Sequence, residues 1–349
     1  MRRPRSVREA DVAGKHVLVR SDLNVPLEDG RVADDTRIEA SLPTLHLLLG
    51  NGAEQVRVCS HLGRPTTEKD RETYSMEPVR ARLRELLPDD RIVVLENTRF
   101  NPGETKNDPA FARELAEGSD LFVNDAFGSA HRAHASTVGV AELLPAYAGL
   151  LLEQELEMLG RLLGEVERPF VLISGGAKVE DKLGVLRNLG GRADEVLIGG
   201  KMAEELREAN PLGFDVVLPR DVVAASEFDA DAESQVVAYD ALPDGWLGLD
   251  IGPETQREFG ERVRRAKTVF WNGPMGVFEW PRFAEGTRAV AQAVADVRGY
   301  TVVGGADSAR ALHELGLAES VDWVSTGGGA SLELLEGKDL PGVAVIPEA

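Results

Sequence analysis

Polar and cationic side chains recur directly behind short apolar runs in the first half of the chain. His16–Arg20 leads into Ser21-Asp22-Leu23-Asn24, and Arg37 follows in Asp35-Thr36-Arg37. Val56–Ser60 leads into His61-Leu62-Gly63-Arg64, Ile92–Leu95 into Glu96-Asn97-Thr98-Arg99, and Leu121–Asn124 into Asp125-Ala126-Phe127, with His131-Arg132-Ala133-His134 just beyond. If these runs are parallel strands, their carboxyl ends share one edge, where open α/β sheets bind ligands. Guanidinium groups and a histidine collected there suit a phosphorylated carboxylate. A lone arginine would read as a surface ion pair; recurrence behind successive runs argues for a site. His61, His131 and His134 could instead ligate a metal, but their spacing matches no compact zinc pattern.

The second half carries different chemistry. A run at Phe170–Ser174 passes straight into Gly175-Gly176-Ala177-Lys178-Val179-Glu180-Asp181-Lys182. Glycines at a strand-to-helix turn let backbone N–H groups approach phosphate oxygens. Lys178 and Lys182, four apart, would share one helix face behind that turn. Two more glycine clusters follow strand-like runs, Gly304-Gly305-Ala306-Asp307-Ser308 and Gly327-Gly328-Gly329-Ala330-Ser331, and both can aim helix N-termini at an anion. Asp307 could supply a carboxylate to a nucleotide-bound magnesium, or simply cap a helix; Ser308 could cap as well. The run Trp271–Glu279 (WNGPMGVFE) is too turn-rich for a strand and too apolar for an exposed linker. There is no GxxxxGK[ST], GxGxxG or GxSxG, which weakens a P-loop NTPase, a nicotinamide-dependent dehydrogenase and a serine hydrolase.

The elements that must position these residues are legible in outline. Continuous rather than alternating apolar runs, separated by helical patterns, indicate parallel sheets covered on both faces. The class is α/β, with two doubly wound parallel-sheet domains joined by a helical hinge. Leu152, Leu156, Leu159 and Leu163 mark one face of the connecting helix, which ends near Gly164. We therefore expect a first domain over 1–150, a second over 151–337 opening with that helix, and a C-terminal segment 338–349 returning to the first. The acidic stretch Glu227–Ser234 reads as a solvated loop.

Composition sets the surroundings. A chain of 349 residues, 43% hydrophobic and 28% charged, suits two globular domains with their own cores. No apolar run approaches the roughly 18 residues of a membrane span, and the basic N-terminus lacks the apolar segment of a secretory signal. A single cysteine, Cys59, excludes an internal disulfide framework and fits a reducing cytoplasm. The net charge of −20 argues against a general affinity for nucleic acid or anionic membrane. With only eight lysines, the acidic surface fits a salt-adapted source and equally a GC-rich genome. No long apolar helix face or coiled-coil repeat asks for a partner, so a monomer is expected.

Taken together, these runs resemble the phosphoglycerate kinase family almost from end to end: VRSDLNVPLEDG, DDTRIEASLPT, SHLGRP, LENTRFNPGE, NDAFGSAHRAHAST, GGAKVEDK, LDIGP, WNGPMGVFE and STGGGASLELLEG, in the family's order. The resemblance implies that Asp22, Leu23, Asn24, Arg37, His61, Leu62, Gly63, Arg64, Arg99 and Arg132 hold 3-phosphoglycerate. It implies MgADP or MgATP on the second domain, with Lys178 and Lys182 on the phosphates and Glu279 on the ribose. Gly305, Ala306, Asp307 and Ser308 would lie at the phosphates, with Asp307 on the metal. Arg37, Lys178 and Lys182 would neutralise the migrating phosphoryl group. The chain departs from the family's pattern at Lys201, Glu204 and Glu205, at Ala306, and in a short segment from Ala203 to Pro219. A nucleotide- or phosphate-binding scaffold without turnover, and a kinase of the same fold acting on another acid phosphate, are the competing readings.

Overall fold

A computed structural model describes residues 3–349. The chain divides into two compact units, Met1–Glu157 with Asp339–Ala349, and Met158–Lys338. The division falls inside the connecting helix rather than ahead of it at 150.

In the first unit, strands β1 (His16–Arg20), β2 (Gln55–Cys59), β3 (Ile92–Val94), β4 (Leu121–Asn124) and β5 (Ala146–Ala148) form one parallel sheet in the order β3-β2-β1-β4-β5. Val17 pairs with Val56 on one side and Leu121 on the other. Val17, Leu18 and Val19 are all buried, because helices cover both faces of a parallel sheet. Helix α1 (Thr36–Gly50) packs Ile38, Leu45 and Leu48 onto this core and begins one residue before Arg37. Helix α2 (Leu150–Leu163) contains the division between the units.

The second unit repeats the plan. Strands β6 (Phe170–Ser174), β7 (Glu195–Ile198), β11 (Thr268–Asn272), β12 (Tyr300–Gly304) and β13 (Trp323–Val324) form a parallel sheet ordered β13-β12-β11-β6-β7. The apolar run Thr268–Trp271 forms β11 with Asn272 added from the turn-rich run behind it, and the turn starts at Gly273. Between β7 and β11 lies a three-stranded antiparallel sheet, β9-β8-β10, built from β8 (Asp221–Ala225), β9 (Ser234–Ala238) and β10 (Leu247–Ile251). Apolar alternation is weak there, since β9 is mostly exposed. Helices α3 (Met202–Glu208) and α4 (Ala306–Glu314) follow β7 and β12 through glycine turns. Among the described residues no helix is long and apolar enough to cross a membrane.

Candidate active site

The segments that follow β2, β3 and β4 converge on a cavity of 960 Å³ in the first unit, lined among others by His61, Arg64, Arg99, Gly128 and Arg132, whereas Asp22, Asn24 and Arg37 are not among its lining residues. Arg64 and Arg132 are exposed. Asn24 Oδ1 accepts from Gly63 N at 2.8 Å, and Arg99 Nη1 donates to Gly63 O at 2.6 Å, so both fix the turn that carries Arg64. Gly63 has φ +60°, and a Cβ there would lie 2.2 Å from the Tyr74 ring; only glycine fits. Leu23 and Leu62, by contrast, point into the core. Their N–H groups are taken by Ser60 Oγ and Asn97 Oδ1, so they build the turns rather than line the cavity.

Arg37 forms an ion pair with Asp22. Burial disfavours the Asp22 carboxylate, but Arg37, with Arg20 behind it, outweighs that cost and holds its pKa below the ordinary carboxylate range. A Cβ on Gly128 would come within 2.3 Å of Asp22 Oδ2, so the loop after β4 must carry glycine where it meets this pair.

Arg20 is a residue that sequence reasoning left out of the site. It is fully buried, and its Nε donates to Ser136 Oγ at 2.9 Å while Nη2 donates to Ser129 Oγ at 3.3 Å. Its Nη2 also faces His61 Nδ1 at 2.9 Å. Burial, then the Arg20 charge, pushes the His61 pKa down to about 3, so the ring is neutral. A guanidinium has no acceptor, so Nδ1 accepts and the ring proton sits on Nε2. His61 is thereby fixed as a neutral hydrogen-bond donor. The signal was present: an arginine closing an otherwise apolar strand. His61, His131 and His134 do not make a metal site; no group of three potential ligands gathers among the described residues.

In the second unit the expected helix face does not form. Gly176 takes φ +120°, and a Cβ on Gly175 would lie 2.0 Å from Pro274 O, so the chain turns away and the first helical residue is Glu180. Lys178 therefore sits ahead of the helix and is exposed, whereas Lys182 folds back beneath the turn. Lys182 Nζ donates to Gly175 O at 2.5 Å and Asn272 O at 2.9 Å. Burial pushes its pKa down to about 8, with Asp307 and Asp181 pulling the other way. The two lysines therefore do not share a helix face: Lys178 precedes the helix and is exposed, while Lys182 is tied to the turn.

Three other turns meet this one. Gly200, at φ +65°, leaves no room for a Cβ against the Gly176 backbone, and Met202 N donates to Gly176 O at 3.2 Å. Glu205, one of the departures from the family's pattern, accepts from Val179 N at 3.1 Å and so braces the segment between the lysines. Gly305, at φ +91°, starts α4, whose first turn exposes Asp307. Ser308 does not cap that helix; its buried Oγ accepts from Gly273 N at 2.6 Å and ties α4 to the turn after β11. Glu279 is paired with Arg310 at 2.6 Å, and Arg310 lies over the Phe278 ring at 4.5 Å. Lys201 is exposed at the start of α3.

The family model described as phosphoglycerate kinase matches residues 7–90, 87–213 and 204–338. The phosphoglycerate kinase of Rubrobacter xylanophilus is 50% identical over 387 residues, covering 99% of this chain and 98% of the relative. That of Moorella thermoacetica is 50% identical over 390 residues, covering 98% and 99%. Among solved structures, the phosphoglycerate kinase from Coxiella burnetii superposes with a TM-score of 0.87 at 36% identity, with 98% of each chain covered. The enzyme from Pyrococcus horikoshii gives 0.83 at 30% identity, again over 98% of each. Both sequence alignments are longer than this chain, so each relative has residues without a counterpart here. One junction of the family match, at 204–213, falls in the segment read as shortened.

Proposed function

The chain belongs to the phosphoglycerate kinase family, and from that premise we propose how its residues perform the family's reaction. It transfers a phosphoryl group reversibly between 1,3-bisphosphoglycerate and ADP, giving 3-phosphoglycerate and ATP, a step of glycolysis and gluconeogenesis.

In our reading the first-unit cavity takes 3-phosphoglycerate. Arg64, Arg99 and Arg132 neutralise the phosphate, neutral His61 donates from Nε2, and Arg37 serves the carboxyl end where the acyl phosphate forms. The nucleotide lies on the second unit, its phosphates along the Gly175–Lys182 turn and its ribose at Glu279. Magnesium arrives with the nucleotide. Asp307, an exposed carboxylate in the first turn of α4, is the residue fit to share it, the other ligands being phosphate and water.

The attacking atom is a phosphate oxygen of ADP or, in reverse, a carboxylate oxygen, and both are already ionised near neutral pH. No general base is required. Positioning and charge neutralisation of the migrating group supply the rate, with Arg37, Lys178 and Lys182 carrying the charge. Since acid and nucleotide sites lie on different units, turnover requires the units to close on one another and exclude water. We further read the chain as a cytoplasmic monomer, in keeping with two soluble metabolite substrates.

The observation that carries this reading is the segregation of chemistry: an arginine-rich cavity on one unit, and on the other a glycine turn with a half-buried lysine. A coupled assay with purified protein, 3-phosphoglycerate and MgATP tests it. Turnover on 3-phosphoglycerate well above that on other small phosphorylated acids is expected. Binding of both ligands without turnover would favour a scaffold.

A further inference from the structure

Two stretches of chain pass between the units: α2, divided after Glu157, and the step from Lys338 to Asp339. Both are fastened inside the first unit by consecutive residues at the end of β4. Asn124 Nδ2 donates to Gly342 O at 3.0 Å, and Gly342 N donates to Ala130 O at 2.8 Å. A Cβ on Gly342 would lie 3.0 Å from Ala130 Cα and 3.2 Å from Asn124 Nδ2, so the returning segment lies flush on the loop after β4.

The other crossing is held just as closely. Gly149 N donates to Asn124 O at 2.8 Å, and Leu151 N donates to Asp125 Oδ1 at 2.9 Å. A Cβ on Gly149 would come within 2.1 Å of that carboxylate oxygen. Asp125 thus satisfies the start of α2, where backbone N–H groups lack helical partners. Asn124 and Asp125 are 0% and 1% exposed, so neither can trade these bonds for bonds to water without a large cost.

The same dipeptide launches the acid-site loop. Ala126 N donates to Asn124 Oδ1 at 3.1 Å, and the loop then carries Gly128 against Asp22 and Arg37, and Arg132 to the cavity. Three segments therefore share hydrogen bonds with two buried side chains. A displacement of the loop as ligand fills the cavity must be passed to both crossings together or break a buried bond. We propose that Asn124 and Asp125 are positioning residues that couple occupation of the acid cavity to closure of the two units. The proposal rests on reading that cavity as the 3-phosphoglycerate site.

The test uses the full chain, with 3-phosphoglycerate and MgADP as probes. Asp125→Ala removes the acceptor, and Asp125→Asn keeps one at Oδ1. We expect Asp125→Ala to bind 3-phosphoglycerate with the parental Kd by calorimetry. The parent should show a ligand-linked fall in radius of gyration by small-angle scattering; Asp125→Ala should lose that fall, and lose kcat by about tenfold or more while both KM values stay put. Asp125→Asn should restore compaction and kcat. Gly342→Ala presses on the other crossing without touching α2, and should give the same split in milder form; it also decides the matter if Asp125→Ala does not fold. Normal compaction and kcat in Asp125→Ala and Gly342→Ala would overturn the proposal, as would a loss of kcat matched by an equal loss of acid affinity. Failure of the underlying site reading shows separately, as unchanged 3-phosphoglycerate affinity in Arg64→Ala.

Discussion

Arg20 Nη2 and His61 Nδ1 meet at 2.9 Å behind the acid cavity, and that contact fixes the charge of the imidazole. With its pKa pushed down to about 3, His61 stays neutral through the physiological range. His61 should therefore add no inflection of its own to KM for 3-phosphoglycerate near the ordinary histidine value of about 6.5, so the pH profile of KM should have the same shape in His61→Asn. The stability consequence has the opposite reach. Unfolded chain takes up a proton at this histidine that folded chain refuses, so stability is lost as pH falls from about 6.5 toward 3. A step in KM near pH 6.5 that vanishes in His61→Asn would contradict the neutral ring.

Arg64 is exposed at the rim of the cavity, on a turn held by Asn24 and Arg99. Arg64→Ala should leave that turn intact and remove one charge-assisted contact, about 1.5–3 kcal/mol. We expect KM for 3-phosphoglycerate to rise roughly ten- to a hundred-fold, with KM for ATP unmoved. A raised KM for ATP alone would reassign the residue.

Lys182 should give the enzyme an alkaline limb. Burial lowers its pKa to about 8, so the free enzyme loses this charge as pH rises past that value, and kcat/KM for ATP should decline there. Bound phosphates favour the ammonium, so the limb in kcat should lie at higher pH. Lys182→Arg cannot deprotonate in this range and should abolish the limb whatever its effect on absolute rate. An unchanged limb in that variant would assign it to another group.

Lys201 stands where the family's pattern has glycine. A lysine stem could have replaced pocket wall lost with the shortened segment after Ala203. The side chain is instead exposed and makes no cap to α3. Lys201→Gly should accordingly leave the KM values for ATP and GTP as they are. A raised KM for ATP would restore the stem to the nucleotide pocket.

Asp250 is a buried residue of β10 whose carboxylate accepts from Gly286 N at 2.7 Å and Ile251 N at 2.9 Å. Burial raises its pKa to about 8. The folded chain then keeps a proton that the unfolded chain releases above about pH 4, so stability falls as pH rises through that window. Asp250→Asn keeps an acceptor and cannot ionise. Its Tm relative to the parent should climb between pH 5 and pH 9, and thermal melts showing a constant difference would rule the linkage out.

The strand ends and glycine turns were legible because each is a local signal: a β-branched run, then residues that only a turn tolerates. Arg37, His61, Arg64, Arg99 and Arg132 could be gathered on that basis, since parallel pairing alone puts their turns at one edge. Arg20 was not assigned a role, because in a strand buried on both faces alternation does not say which way the last side chain points. Lys182 was misplaced for another reason. Its direction depends on the carbonyls of Gly175 and Asn272, and Asn272 lies at the end of a different strand. Glu205, braced against Val179, likewise answers to a packing between two turns that spacing within either cannot reveal. The antiparallel strands β8 to β10 escaped because β9 has little to bury.

Residues Asp339–Ala349, which return to the first unit after the second is complete, set an order of events during synthesis. The second unit is one uninterrupted stretch and can fold once Lys338 has left the ribosome. The first unit, although begun earlier, lacks Gly342 on Asn124 and the buried Val343 and Ile346 until the segment after Lys338 arrives. Domains usually mature in the order they are translated; here the earlier one must wait for the later. The enzyme thus cannot present its arginine cavity in finished form before its nucleotide half exists. Nascent chains stalled just short of Asp339 should protect the second unit from protease and leave the first open to cleavage.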